Sequence, residues 1–251
     1  MARSRAICCW LCGALVFAPV AAWASCPDAC QMPSKQNADR LQCGEHQRGM
    51  RSSQKTWAGR RWAMSGDSIV AQDTWGSMTA SQLAMASYEN WGVSGSRMDE
   101  VLNVRKMKDF DALDLYGISA GTNDFGQQRP IGTRNDPPGA ATFWGAMRQI
   151  VFRVRQQRPN LRIFFMTPLH RADERSRSAS GIPLYRYVDA IVSFGKINKI
   201  PVFDQYRLIP IKEGAIRDYL SDGLHPNICG GELISKGLVR FLRVNLEQPS
   251  H

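Results

Sequence analysis

From residue 61 onward, short apolar runs of strand length alternate with longer segments whose apolar residues recur every three to four positions. Residues 61–64, 88–93, 112–118, 161–166 and 201–203 show the first pattern. Residues 74–87, 97–104, 143–157, 183–198 and 226–244 show the second, and Phe143, Met147, Ile150, Val151 and Val154 fall on one helical face. Strands joined through helices of this length need parallel crossovers, which predicts an α/β domain of three layers, a sheet of about five strands with helices on both faces. Ligands of such sheets sit at the carboxyl ends of the strands, so the strand-to-helix junctions are where chemistry is to be sought.

The chain has 251 residues, 43% of them hydrophobic and 22% charged, enough for one sizeable core, and no long Ser, Pro or Gly tract splits it into comparable halves. Its first residues have the features of a secretory signal. Arg3 and Arg5 supply charge, residues 6–22 are mainly apolar, and Ala22-Trp23-Ala24 fits a small-x-small cleavage site, so cleavage is expected after Ala24. The run is broken by Pro19 and falls short of the roughly 20 residues that span a bilayer, so no stable membrane insertion is expected after cleavage. Residues 25–60 are polar, cysteine-bearing and without periodicity, and are expected to form an irregular extension ahead of the α/β domain over 61–251. The expected location is secreted or periplasmic.

Removal of residues 1–24 would take Cys8, Cys9 and Cys12 with it and leave Cys26, Cys30, Cys43 and Cys229, four cysteines that allow three full disulfide pairings. Cys26 with Cys30 would close a tight loop, and Cys43 with Cys229 would tie the extension to the C-terminal end of the domain. The four lack the paired spacing and accompanying histidines of a zinc site. The net charge of +10 becomes +8 when Arg3 and Arg5 leave, because residues 1–24 hold no Asp or Glu. Such a balance favours acidic surfaces or polyanionic glycans, and nucleic acid is not an expected partner of an exported protein. Arg153, Arg155, Arg158 and Arg162 form either a basic patch or an ordinary solvated face.

Three polar segments lie at the expected junctions. Gly66-Asp67-Ser68 follows the first strand, Gly121-Thr122-Asn123-Asp124 the third, and Asp222-Gly223-Leu224-His225-Pro226-Asn227 precedes the last helix. An ester hydrolase needs an oxygen nucleophile, a base to take its proton, a carboxylate to orient that base, and donors for the developing oxyanion. Ser68 suits the nucleophile, with its own N–H turned toward the substrate oxygen; His225 suits the base, oriented by Asp222 three residues earlier; Asn123 can donate its amide to the oxyanion. Each segment alone has a plainer explanation. Asp67 or Ser68 can cap a helix, Asp222 can cap the last helix with His225 a bystander, and Asn123-Asp124 can satisfy its own loop.

In order, Gly66-Asp67-Ser68, Asn90-Trp91-Gly92-Val93-Ser94-Gly95, Gly121-Thr122-Asn123-Asp124 and Asp222-Gly223-Leu224-His225-Pro226 resemble the four sequence blocks of the SGNH/GDSL hydrolases, over the 160 residues from Gly66 to His225. The resemblance implies a flavodoxin-like SGNH hydrolase fold, Ser68, Asp222 and His225 as the catalytic triad, and Ser68, Gly95 and Asn123 as the oxyanion hole, with no cofactor and no metal. Gly92 is the alternative in the second block, where the Ser94-Gly95 pair matches better. Ile69 stands where the family name has Leu, and the segment Met166-Thr167-Pro168-Leu169 supports the register. His170 is expected to be a loop residue or a substrate contact, and His46 and His251 lie far from any matched block.

The function this predicts is an exported serine esterase cleaving carboxylic esters through an acyl-enzyme, with a short acyl group, acetyl, on polysaccharide as the favoured substrate and Trp91 and Phe125 as candidate sugar-stacking rings. Lipase, lysophospholipase and thioesterase activity, on an acylated lipid in the first two cases, are the alternatives within the family. A metal-dependent phosphoesterase would have to assemble its site from Asp67, Asn123, Asp124 and Asp222 almost without histidine. A glycan-binding module with a disused site is the rival from another class.

Overall fold

The computed structural model describes residues 57–102, 110–211 and 213–246; the expected signal, Cys26, Cys30, Cys43, His46 and His251 lie outside the described residues. Strands β1 (Arg61–Gly66), β2 (Ser87–Gly92), β3 (Leu115–Ser119), β4 (Arg162–Met166) and β5 (Val202–Phe203) form one sheet of five, ordered β2-β1-β3-β4-β5, with every pair parallel. This is the flavodoxin-like order, and its topological switch point lies between β1 and β3. Nine α-helices flank the sheet among the described residues: α1 (Ser68–Ala71), α2 (Gly76–Gln82), α3 (Thr122–Gly126), α4 (Phe143–Gln157), α5 (Glu174–Ser180), α6 (Leu184–Asn198), α7 (Gln205–Leu208), α8 (Ile216–Tyr219) and α9 (Ile228–Asn245).

The sheet is buried on both faces, and alternate strand residues go to opposite layers. Ala63, Tyr116, Ile118, Ile163 and Phe165 pack into one core with residues of α4 and α6, while Trp62, Met64, Leu115, Phe164 and Met166 pack into the other with residues of α9. Trp57, ahead of β1, is buried in the second core, and its indole N–H donates to the Leu242 carbonyl at 3.3 Å. In the middle of β3, a Cβ on Gly117 would stand 2.0 Å from Met64 Sδ and 2.6 Å from Phe164 Cζ, so the absence of a side chain there lets the neighbouring strands fill the layer. Each large side chain so enclosed contributes roughly 1.5–3 kcal/mol to folding.

The elements that differ from expectation do so for local reasons. β1 continues past residue 64 because Ser65 and Gly66 pair with both neighbouring strands. The helix expected over 74–87 is cut to α2, whose end is followed by Ala84 in the left-handed region at φ +52°. Residues 110–112 form a single 3-10 turn, and β3 begins only at Leu115. No helix forms over 97–102. There the Arg97 N–H donates to Glu100 and the Met98 N–H to Asp124, side-chain acceptors that replace a helical ladder. The last helix starts at Ile228, two residues later than expected, because the Asn227 side chain caps it by accepting from the Gly230 N–H at 3.0 Å.

Candidate active site

β1 ends on Gly66, where a Cβ would lie 2.2 Å from the Ser119 carbonyl oxygen of β3, so only glycine lets the strand turn this close to its neighbour. Asp67 then caps α1, its Oδ1 accepting from the Ile69 N–H at 2.9 Å, and Ser68 becomes the first residue of that helix. The plainer reading of Asp67 as a cap is therefore met in the same turn that presents the Ser68 hydroxyl at the carboxyl edge of the sheet.

The loop after α8 is held by an antiparallel bridge between Leu220 and Pro226 and by the Ser221 N–H donating to the His225 carbonyl at 2.8 Å. Gly223 takes φ +83°, which lets the chain fold back on Asp222. Asp222 Oδ1 accepts the N–H groups of His225 and Leu224 at 2.8 and 2.9 Å, while Oδ2 lies 2.7 Å from His225 Nδ1. His225 Nε2 lies 2.8 Å from Ser68 Oγ, across 157 positions of sequence. A carboxylate at Nδ1 keeps the proton there and leaves Nε2 as the acceptor facing the serine hydroxyl. Burial pushes the Asp222 carboxyl upward, but the His225 N–H, the His225 ring and the Leu224 N–H outweigh it and hold the pKa at about 2. Asp222 thus does not cap the last helix; Asn227 does.

Ser68 follows β1 and Asn123 follows β3, on either side of the switch point. The Asn123 amide donates to the Ser96 carbonyl at 2.9 Å, and Asp124 Oδ2 accepts the Met98 N–H at 2.9 Å, so α3 grips the loop that carries Gly95. Gly95 is exposed, with φ +83° and nothing within 4 Å of where a Cβ would be. Gly92 is different: a Cβ there would lie 2.4 Å from the Ala71 N of the segment following Ser68. Gly92 is consumed by packing on α1, and Gly95 has the open backbone.

Two buried carboxyl groups adjoin the site, Asp67 and Asp124, which sequence reasoning named only as turn or cap residues and as ligands of a metal-dependent rival. Burial is the main cause in both: Asp67 is raised to about 7, further up by Asp124 and partly offset by the Ile69 N–H and His225, and Asp124 is raised to about 6 against the Met98 N–H and Arg129. In sequence each is only a polar residue in a turn motif. The rings expected to stack on sugar are elsewhere: Trp91 is 2% exposed against Phe110 and Tyr116, and Phe125 is fully buried against Tyr187. Three of the four arginines of the row, Arg155, Arg158 and Arg162, are engaged. Arg155 donates to the Leu161 carbonyl, Arg158 to the Leu113 carbonyl, and the Arg162 guanidinium lies 5.5 Å from the Trp57 ring. No group of three His, Cys, Asp or Glu side chains that could hold a metal occurs among the described residues.

A parallel sheet in this order, with a hydroxyl, an imidazole and a carboxylate in series at its carboxyl edge, defines the SGNH class of hydrolase. Residues 64–232 match the model of the GDSL-like lipase/acylhydrolase family, and the chain belongs to that family of ester-hydrolysing enzymes. Solved structures share the fold. A protein from Lactobacillus plantarum is 25% identical, covers 74% of this chain and 97% of its own, and superposes with a TM-score of 0.65. A lipase/acylhydrolase from Enterococcus faecalis is 21% identical over 76% of this chain and 99% of its own, with a TM-score of 0.56. An acetylxylan esterase from Geobacillus stearothermophilus, solved as a catalytic mutant, is 14% identical over 78% of this chain and 100% of its own, with a TM-score of 0.55. No curated protein matches the chain.

Proposed function

We propose that the protein is an exported serine esterase that works through an acyl-enzyme on Ser68, with His225 as base and acid and Asp222 as the group that orients it. The observation that carries this reading is the unbroken series Ser68 Oγ, His225 Nε2, His225 Nδ1 and Asp222 Oδ2, with contacts of 2.8 and 2.7 Å. His225 takes the Ser68 proton as Oγ attacks the ester carbonyl, and the oxyanion is received by the N–H groups of Ser68 and Gly95 and by the Asn123 amide. Collapse breaks the bond to the alcohol, which leaves with the proton from the imidazolium. Water, deprotonated by His225, then attacks the acyl-enzyme and releases the carboxylic acid. Ionised Asp222 stabilises the imidazolium in both steps.

For substrate we favour a short acyl group, acetyl, on a polysaccharide. Support comes from the sequence features of export and from the fold shared with an acetylxylan esterase. The test is hydrolysis of aryl esters of graded acyl length by wild type and Ser68→Ala, with fluorophosphonate labelling alongside. Ser68→Ala is expected to lose roughly 10⁴-fold or more in kcat and all labelling. Equal turnover by the two proteins overturns the mechanism, and a preference for long acyl chains overturns the acetyl assignment in favour of a lipase.

A further inference from the structure

Beyond β4 the chain leaves the sheet through Pro168 and Leu169 and lines a groove of about 610 Å³ with His170, Glu174, Arg175, Ser178, Tyr185 and Ile216. We propose that this groove is the subsite for the alcohol half of the ester and that it takes a sugar ring; the proposal rests on the serine-esterase reading above.

Its position comes from two contacts of its wall. The Ala172 N–H donates to the Gly223 carbonyl at 2.8 Å, which ties the groove to the loop carrying Asp222 and His225. Arg171 Nη1 donates to the Thr122 carbonyl and hydroxyl at 3.1 and 3.0 Å, which ties it to the loop carrying Asn123. The departing alkoxide takes its proton from His225 Nε2, so the alcohol lies on the His225 side of the bond being broken. The groove's wall is joined to the loop that carries His225 through Ala172 and Gly223.

Its chemistry comes from how the wall is built. Glu174 has both carboxylate oxygens engaged, Oε1 by the Tyr206 hydroxyl at 2.5 Å and Oε2 by His170 Nδ1 at 2.9 Å, and the His170 ring stacks on Tyr206 with centroids 3.8 Å apart. Burial raises the Glu174 carboxyl, but His170 and Tyr206 outweigh it and hold it below the usual range. The ionised carboxylate thus fixes the imidazole, with Nε2 as the ring's other hydrogen-bonding position. Tyr185, 48% exposed, and Ile216 also line the groove and give it an apolar surface. The volume lies in the range of small-molecule sites, about 300–1,000 Å³. An alkyl chain laid here would strip water from His170, Glu174, Arg175 and Ser178 and return no hydrogen bond. A pyranose offers hydroxyls to the polar wall and a C–H face to the ring, so it satisfies both.

The experiment compares wild type, Tyr185→Ala and Tyr185→Phe on methyl mono-O-acetyl-glucopyranosides against ethyl acetate, and on 4-nitrophenyl octanoate against 4-nitrophenyl acetate. Tyr185→Ala is expected to lower the glycoside-to-ethyl ratio of kcat/KM about ten-fold, through KM, with Tyr185→Phe restoring it and the octanoate-to-acetate ratio moving less than about two-fold. A fall in the octanoate ratio assigns the groove to the acyl group and overturns the proposal. So do unchanged ratios in Tyr185→Ala, or a wild type with no preference for the glycoside over ethyl acetate. Failure of the serine-esterase reading shows separately, as Ser68→Ala turning over 4-nitrophenyl acetate like wild type.

Discussion

Asp67 stands directly before Ser68 with its carboxyl wholly enclosed, and it faces the Ile69 N–H, Asp124 and His225. Enclosure favours the neutral acid, which places its folded pKa at about 7 against 3.8 for an open aspartate. The sign of the linkage follows. Between about pH 4 and 7 the folded state holds a proton that the unfolded state has released, so stability is fully present below pH 4 and is lost as pH rises toward 7. Asp124, raised to about 6, acts in the same direction. Asp222, held at about 2, acts oppositely, with stability lost only as pH falls below about 4. Asp67→Asn keeps an oxygen for the Ile69 N–H and removes the titration. It is expected to lose less stability than wild type between pH 4.5 and 8, by roughly 2 kcal/mol or more in urea unfolding, and an identical pH dependence in the two proteins would contradict the burial account.

At the level of elements, the site depends on α3 and on the segment after β2 being held together. The Asn123 amide to Ser96 and the Met98 N–H to Asp124 set that spacing, and they occupy the stretch where apolar periodicity predicts a helix over 97–104. Periodicity reads side-chain spacing and carries no information about a buried carboxylate arriving from residue 124. The two glycines of the second block separate on the same grounds. Gly92→Ala drives a Cβ into the α1 backbone at 2.4 Å and is expected to cost about 2–3 kcal/mol of stability, with turnover impaired because α1 carries Ser68. Gly95→Ala meets no atom but must hold φ +83°, and is expected to cost about 1 kcal/mol. Urea unfolding of both variants tests the order, and a larger loss for Gly95→Ala would mean that the loop is packed rather than open.

For the molecule as a whole, the sheet-based hydrolase is legible from its junctions, while export is a reading of residues 1–24 that lie outside the described structure. We propose that the mature chain begins at Ser25 and carries its four cysteines as disulfides, with Cys229 at the start of α9, packed against the second core. Intact mass of the protein recovered outside the cytoplasm is expected to match residues 25–251 with no free thiol, and reduction is expected to remove roughly 2–4 kcal/mol per bond lost. A full-length mass or four titratable thiols would overturn this. Among the described residues no helix is long and apolar enough to cross a membrane.

The sequence by itself determined which side chains are candidates for the site. Once strands alternate with helices and run parallel, every strand-to-helix junction falls on one edge, which places Ser68 and Asn123 there by connectivity, while the loop carrying Asp222 and His225 comes from between two helices. Tertiary structure decided what that connectivity does not contain: that Trp91 and Phe125 are core rings rather than sugar platforms, that burial lifts the Asp67 and Asp124 carboxyls well above the usual aspartate range, and that a groove lined by His170 and Glu174 is tied through Ala172 to the His225 loop. Burial and hydrogen-bond partnership depend on which atoms arrive from distant parts of the chain, and no local pattern records their arrival.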